Sequence, residues 1–186
     1  MLHVVKAFDR LQFNKLLKMV SRGNVSWKAL GASNPVRCDQ IGRATFDRWA
    51  TVYLPGFPII GGRWYYEVEM LSRLDSPQIG FGTLQTDVSG QNGLGDDKNG
   101  WAVDLSRCKL WHEGPARDFG QPAGAGHTVC CVIDADAGTI RFGCDGNFRA
   151  PFGTAFSSVD ADARLRSSGY FAFGAPPPPL YAMMSC

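Results

Sequence analysis

Several groups of residues have the types and spacing that chemistry uses. Glu67 and Glu69 stand two apart and could act as the paired carboxylates of glycoside hydrolysis, which must flank a scissile bond. Neighbours two apart on one strand lie side by side on one face instead, and no sugar-stacking pattern accompanies them. His112 and His127 with Cys130 or Cys131 supply the types for a base and a thiol nucleophile. The cysteines lie in an apolar run, which raises a thiol pKa and favours simple packing. Asp134, Asp136 and Gly138 resemble the start of a calcium loop, but the remaining ligands and the terminal Glu are absent. Residues 139–144 read directly into a strand, so a hairpin turn explains them. Gly93-x-Gly95 has no following helix whose N-terminus could complete a phosphate cradle. No Cys-x-x-Cys pair and no Cys/His cluster with zinc spacing occurs in the sequence. The expectation is a non-enzyme with no catalytic residue, no metal ligand set and no cofactor, whose melting a chelator leaves unchanged.

The elements that position these residues read as strands. From Trp64 to Met70 the large side chains Trp64, Tyr66, Val68 and Met70 share one parity, while Tyr65, Glu67 and Glu69 take the other. Ile79, Phe81 and Thr83 likewise oppose Gln78, Gly80 and Gly82, whose bare backbone admits a close neighbour. A short polar turn joins these two strands and predicts that they pair antiparallel. Residues 45–54 read as a strand with an irregularity in its middle. Residues 101–105 and 108–112 form a hairpin around Ser106-Arg107, and residues 128–133 and 139–144 form another, followed by an Asp145-Gly146 turn. Pro176 to Pro179 read as a stiff connection into a last strand, with a ligand for a proline-reading module as the other use of such a run. The expected core is Trp64, Tyr66, Val68, Phe81, Trp101, Ile133, Ile140 and Phe142.

Residues 1–20 are rich in Lys and Leu and lack Gly and Pro, which predicts a short N-terminal helix. Its five basic residues through Arg22 against the single Asp9 admit a mitochondrial presequence, but the near absence of serine favours a packing or linking helix. The expected division is residues 1–22 as a helix or linker and residues 23–186 as one β-domain.

Composition bounds the class. The 186 residues fit one domain, and 22 glycines with 11 prolines suit many turns rather than a helical bundle. A net charge of +2 with scattered basic residues lacks the footprint of a nucleic-acid binder. No apolar run reaches the ~20 residues that span a bilayer. Six cysteines without framework spacing read as reduced thiols, which implies a cytoplasmic or nuclear setting.

Residues 49–184 resemble the SPRY domain family. Gly62-Arg63-Trp64-Tyr65-Tyr66-Glu67-Val68 looks like its opening signature and Ile79-Gly80-Phe81-Gly82 like its next strand. Gly95-Asp96-Asp97, Trp101-Ala102-Val103-Asp104 and Trp111-His112 are similar to its central loop and hairpin. Val132-Ile133-Asp134, residues 138–142, Asp145-Gly146-Asn147, Gly153-Thr154-Ala155-Phe156 and residues 180–185 match its later part in order. The family usually continues into one more strand with an Asn-Phe-Gly-like ending, whereas this sequence stops at Cys186. Either the N-terminal segment fills that place, or one sheet keeps an exposed edge open to association.

The resemblance implies an all-β antiparallel sandwich of two bent sheets, acting as a non-catalytic adaptor whose loops at one end capture a peptide or a partner protein. The residues expected to make that contact are Asp96, Asp97, Lys98 and Asn99, with Arg117, Asp118 and Phe119 on a facing loop. Asp and Asn can bond a peptide backbone, Lys98 and Arg117 can meet a carboxylate, and Phe119 can supply an apolar anchor. The same residues can instead tie down their own loops. A lectin-like sugar-binding sandwich is the alternative; it requires exposed aromatic rings, whereas the tryptophans take inward strand parities.

Overall fold

The computed structural model describes residues 2–9, 26–31, 36–40, 42–157 and 178–186, and among them the regular structure is all strand. One seven-stranded sheet has the spatial order β13 (Gly153–Ser157), β12 (Thr139–Cys144), β11 (Thr128–Asp134), β6 (Arg63–Met70), β1 (Leu2–Asp9), β4 (Arg43–Phe46), β3 (Val36–Cys38). The other runs β10 (Arg117–Asp118), β9 (Lys109–Trp111), β8 (Gly100–Asp104), β7 (Gln78–Gly82), β14 (Tyr181–Ser185), β5 (Thr51–Tyr53), β2 (Lys28–Leu30). Neighbours in both sheets pair antiparallel.

The period-two patterns set these strands. Tyr66, Val68 and Met70 of β6 are buried, as are Val129, Cys131 and Ile133 of β11 and Ile140 and Phe142 of β12. Val132 faces Arg141 and Ile133 faces Ile140 across the β11/β12 hairpin, the register that the alternation demands. Asp145 and Gly146 both take positive φ, as a two-residue turn matching the strand twist requires. Of the expected core residues, Tyr66, Val68, Phe81, Trp101, Ile133, Ile140 and Phe142 belong to one buried cluster, while Trp64 is half-buried at its margin. Trp64→Ala is therefore expected to lower the denaturation midpoint less than Tyr66→Ala. Equal losses would show that the end of β6 is as enclosed as its middle.

Three expectations are corrected. β6 and β7 do not pair: β6 lies between β1 and β11, and β7 between β8 and β14. Residues 71–77 cross from one sheet to the other, and the two strands meet face to face. The Tyr66 ring stands edge-on to Phe81 at 5.3 Å, and its hydroxyl donates a short hydrogen bond to the Gly80 carbonyl. Two strongly apolar faces bury more area stacked than side by side, and this outweighs the pairing suggested by a short connection. Likewise the irregularity within residues 45–54 is the bend between β4 and β5, which belong to different sheets.

The third correction concerns the N-terminal helix. Leu2–Asp9 is strand β1, paired with β6 from Leu2 opposite Met70 to Asp9 opposite Trp64, with an irregularity between Val4 and Lys6. The Lys/Leu composition carries only a weak helical preference, and an open hydrogen-bonding edge on β6 outweighs it. Leu2 and His3 also pair with Ala44 and Arg43 of β4. Leu2–Asp9 thus lies within the first sheet, with β6 on one side and β4 on the other. The rest of the expected helix, residues 10–20, lies outside the described residues, as do Pro176 and Pro177.

The outer face of the second sheet carries a smaller cluster of Leu94, Ala102 and Met183, flanked by Leu30, Tyr53, Trp111 and Tyr181. Leu94 comes from the connection of residues 83–99, which folds back over the sheet. A Cβ on Gly82 would stand 2.8 Å from both Leu94 Cδ1 and Met183 Sδ, so the bare backbone of β7 is what lets this loop lie flat.

Candidate functional site

The site grows from a hairpin turn. Asp104, fully buried at the end of β8, accepts hydrogen bonds from Ser106 Oγ at 2.6 Å, the Arg107 N–H at 3.0 Å and Arg107 Nε at 2.5 Å. An Asp that bonds the residues two and three ahead shapes a tight turn, and here it also fixes a cation. The Arg107 guanidinium lies 4.6 Å over the Trp111 ring on β9. Held by a carboxylate and an indole, it stands where two open hollows meet.

The larger hollow, about 580 Å³, runs between residues 73–77, Ser106, Arg107 and residues 122–127. The smaller, about 370 Å³, is lined by Trp49, Gln78, Gln91, Asp96 and Trp111, and shares Asp75, Ser76 and Arg107 with the first. Together they form one continuous groove. Arg73 and Arg107 give it cationic groups and Asp75 and Asp96 give it anionic ones. Ser76 takes φ 55°, a left-handed backbone uncommon for serine and concentrated at recognition sites. Gln78 is buried and its Nε2 donates to Asp96 Oδ1 at 3.3 Å, while Asp96 Oδ2 accepts the Gly93 N–H at 2.8 Å. Gln78 Oε1 and Trp111 Nε1, on the wall of the smaller hollow, make no hydrogen bond among the described residues.

The expected contact residues fall in three places. Asp96 lines the groove, and Lys98 is exposed nearby in sequence. Asp97 and Asn99 tie down their own loop: Asp97 accepts from the N–H groups of Asp87 at 2.8 Å and Asn99 at 2.9 Å, and from Asn99 Nδ2 at 2.9 Å. Asp97→Ala is accordingly expected to cost about 1 kcal/mol and to speed hydrogen exchange at the Asp87 and Asn99 amides. Unchanged exchange would remove Asp97 from the tie. Arg117 and Asp118 run back along β9, where Arg117 Nη2 donates to the Ala155 carbonyl at 3.2 Å and Lys109 Nζ meets Asp118 at 2.5 Å. That lysine bond, reinforced by its charge, holds the Asp118 carboxyl below its ordinary pKa. Phe119 packs on the core, edge-on to Phe142 at 6.3 Å and Phe152 at 6.4 Å. The two loops do touch, through the Glu113 N–H to the Gly95 carbonyl at 3.1 Å, but residues 117–119 lie outside the groove lining.

Sequence reasoning missed Trp49, Asp75, Ser76, Arg107 and Trp111. The local turn signals at 75–77 and 106–107 were visible, but their convergence depends on the crossing between sheets. The tryptophans are also not uniformly inward: Trp27 and Trp101 are buried, whereas Trp49, Trp64 and Trp111 are half-buried.

The other chemical candidates are absorbed by structure. Glu67 accepts a short hydrogen bond from the Tyr65 hydroxyl. His112 is buried, stacked on Trp101 at 4.7 Å with Nδ1 2.7 Å from the Gly100 carbonyl. Asp134 accepts from the Ala137 N–H and pairs with Arg63 at 2.6 Å, and Asp136 accepts from the Gly62 N–H. Burial raises the Cys130 and Cys131 thiols, and burial together with the Asp145 charge pushes Cys144 up to about 12. Neutral thiols of this kind are poor nucleophiles.

A two-sheet antiparallel sandwich with a mixed polar groove on its end loops, and its nucleophiles locked into packing, has the build of a recognition module. The family model for the SPRY domain matches residues 63–175, and the chain belongs to that family of protein-interaction modules. It is 33% identical over 98 residues to the E3 ubiquitin-protein ligase RKP of Arabidopsis thaliana, an alignment covering 53% of this chain and 7% of that protein. The crystal structure of the SPRY domain of human HERC1 is similar with a TM-score of 0.55 at 15% identity, covering 89% of this chain and 82% of that one. At that identity the likeness shows the fold.

Proposed function

We propose that the groove centred on Arg107 captures a short peptide or an exposed loop of a partner protein, and that the domain serves as an adaptor within a larger assembly. The observation that carries this is the clamped guanidinium: Asp104 and Trp111 hold it in place before any partner arrives, so little ordering entropy is lost on binding. A lining that carries both cations and anions suits a polar, mixed-charge segment. The ligase relative supports a recruiting role, and six free thiols support a cytoplasmic or nuclear setting. For a carbohydrate, the half-buried Trp49 and Trp111 would be the stacking rings, but Arg107 already covers one face of Trp111.

The test is selection from a displayed peptide library on the immobilised domain, then titration of the enriched peptide. The Asp75→Ala/Asp96→Ala double variant is expected to bind at least tenfold more weakly, about 1.4 kcal/mol. Its unfolding free energy should fall by about 1 kcal/mol, because Asp96 accepts from the Gly93 N–H and from buried Gln78, so affinity is read on the folded fraction. A folded variant with unchanged affinity places recognition elsewhere, with Lys98, Arg117 and Asp118 the next surface to vary.

A further inference from the structure

A second cluster lies where β11 begins and β12 ends. His127 Nδ1 is 2.7 Å from Asp145 Oδ2 and 4.0 Å from Cys144 Sγ, and one donor atom from each of the three residues falls within 4.8 Å of the others. We propose that His127, Cys144 and Asp145 bind a zinc-class divalent cation, with imidazole, thiolate and carboxylate as three ligands and solvent in the fourth position.

The donor set is the argument's first part. Nitrogen, sulfur and oxygen ligands together suit Zn²⁺, a borderline-soft ion, and discriminate against the hard cations that take oxygen alone. Tetrahedral bonds of about 2.0–2.3 Å place donors about 3.3–3.7 Å apart, between the two spacings found here. The third pair, Cys144 Sγ and the Asp145 carboxylate, lies within 4.8 Å, so closing on an ion needs shifts on the order of 1 Å. The residues able to give are the right ones, because His127 and Asp145 are half-exposed while Cys144 is buried and anchored on β12.

The second part is preorganisation. Asp145 Oδ1 accepts the Thr128 N–H at 2.8 Å, which leaves Oδ2 directed at His127. Cys130 Sγ accepts the Gly146 N–H at 3.3 Å, and the Cys144 and Asn147 backbones exchange both hydrogen bonds, so the turn carrying two ligands is held from both sides. These bonds form without an ion, so the fold does not depend on one; binding adds stability only by mass action. On binding, the ion replaces the thiol proton of Cys144, and the imidazole proton resides on Nε2 so that Nδ1 can coordinate. Nothing in this site depends on what the Arg107 groove recognises, although His127 stands on that groove's wall.

The test is a Co²⁺ titration of the whole protein followed by optical absorption, with Zn²⁺ as competitor. The expected result is a thiolate-to-cobalt charge-transfer band that saturates at one ion per chain and that Zn²⁺ bleaches. Cys144→Ser should abolish the band. His127→Ala, which alters an exposed side chain, and Asp145→Asn, which keeps a residue tolerant of the left-handed turn, should each weaken binding at least about tenfold while leaving the circular dichroism unchanged. No band in the parent, or an undiminished band in Cys144→Ser or in both other variants, overturns the proposal, with the Cys144→Ser outcome pointing to Cys38 or Cys108 as the thiolate.

Discussion

Phe142→Ala is expected to remove about 3–5 kcal/mol of stability, a third or more of what a domain of this size commonly has. Phe142 is fully buried on β12, and its ring meets two others edge-on: Phe156 at 6.4 Å and Phe119 at 6.3 Å. Truncation opens a cavity that close packing cannot collapse, and it also removes the seat of Phe119. Urea unfolding monitored by tryptophan fluorescence reads the loss. Phe119→Ala should follow in the same direction with a smaller loss, since its ring is only half-buried, and should leave peptide affinity unchanged in the folded fraction. A Phe142→Ala loss below about 1 kcal/mol would contradict a close-packed site at that position.

Gly95→Ala is expected to damage both stability and recognition. Gly95 has φ +96°, and a Cβ there would stand 2.5 Å from the Trp111 carbonyl oxygen and 2.8 Å from Trp111 Cβ. Backbone strain and overlap together should cost about 2–4 kcal/mol. The obstructing atoms are backbone, so relief must come from moving the loop away from β9. That movement separates Asp96 on the loop from Trp111 and Arg107 beneath it, and peptide affinity should fall at least tenfold, about 1.4 kcal/mol, even where the variant is fully folded. Native-like affinity in a folded Gly95→Ala protein would mean that the loop can shift without carrying the groove wall along.

What was legible in the sequence was whatever local alternation and turn chemistry determine. The β11/β12 hairpin could be placed to within a residue, because alternation fixes the face and the short turn at 135–138 fixes the register. Which sheet a strand joins is not written locally. Residues 64–70 and 79–82 looked like a hairpin because only three-dimensional burial distinguishes a tight turn from a crossing between sheets. The site suffered most from this. Asp96 was found because an acidic loop announces itself, but Arg107, clamped within its own hairpin by Asp104 and Trp111, draws its importance from meeting Asp75 and Asp96, which come from two other connections. The cluster of His127 with Cys144 and Asp145 was invisible for the same reason: its ligands are adjacent across a hairpin, not at a fixed spacing along the chain.

The position of β1 between β6 and β4 has a consequence for the order in which the protein is made. Synthesis delivers Leu2–Asp9 before its partners Arg43–Phe46 and Arg63–Met70, which follow tens of residues later. During that interval the strand's peptide groups have only water, or another nascent chain, to bond. Completion of the first sheet is therefore a long-range closure of the kind that slows folding, and a chaperone that shields β1 on the ribosome should raise the yield of soluble protein more than one acting on the β11/β12 hairpin, which zips with its own neighbour as soon as it emerges.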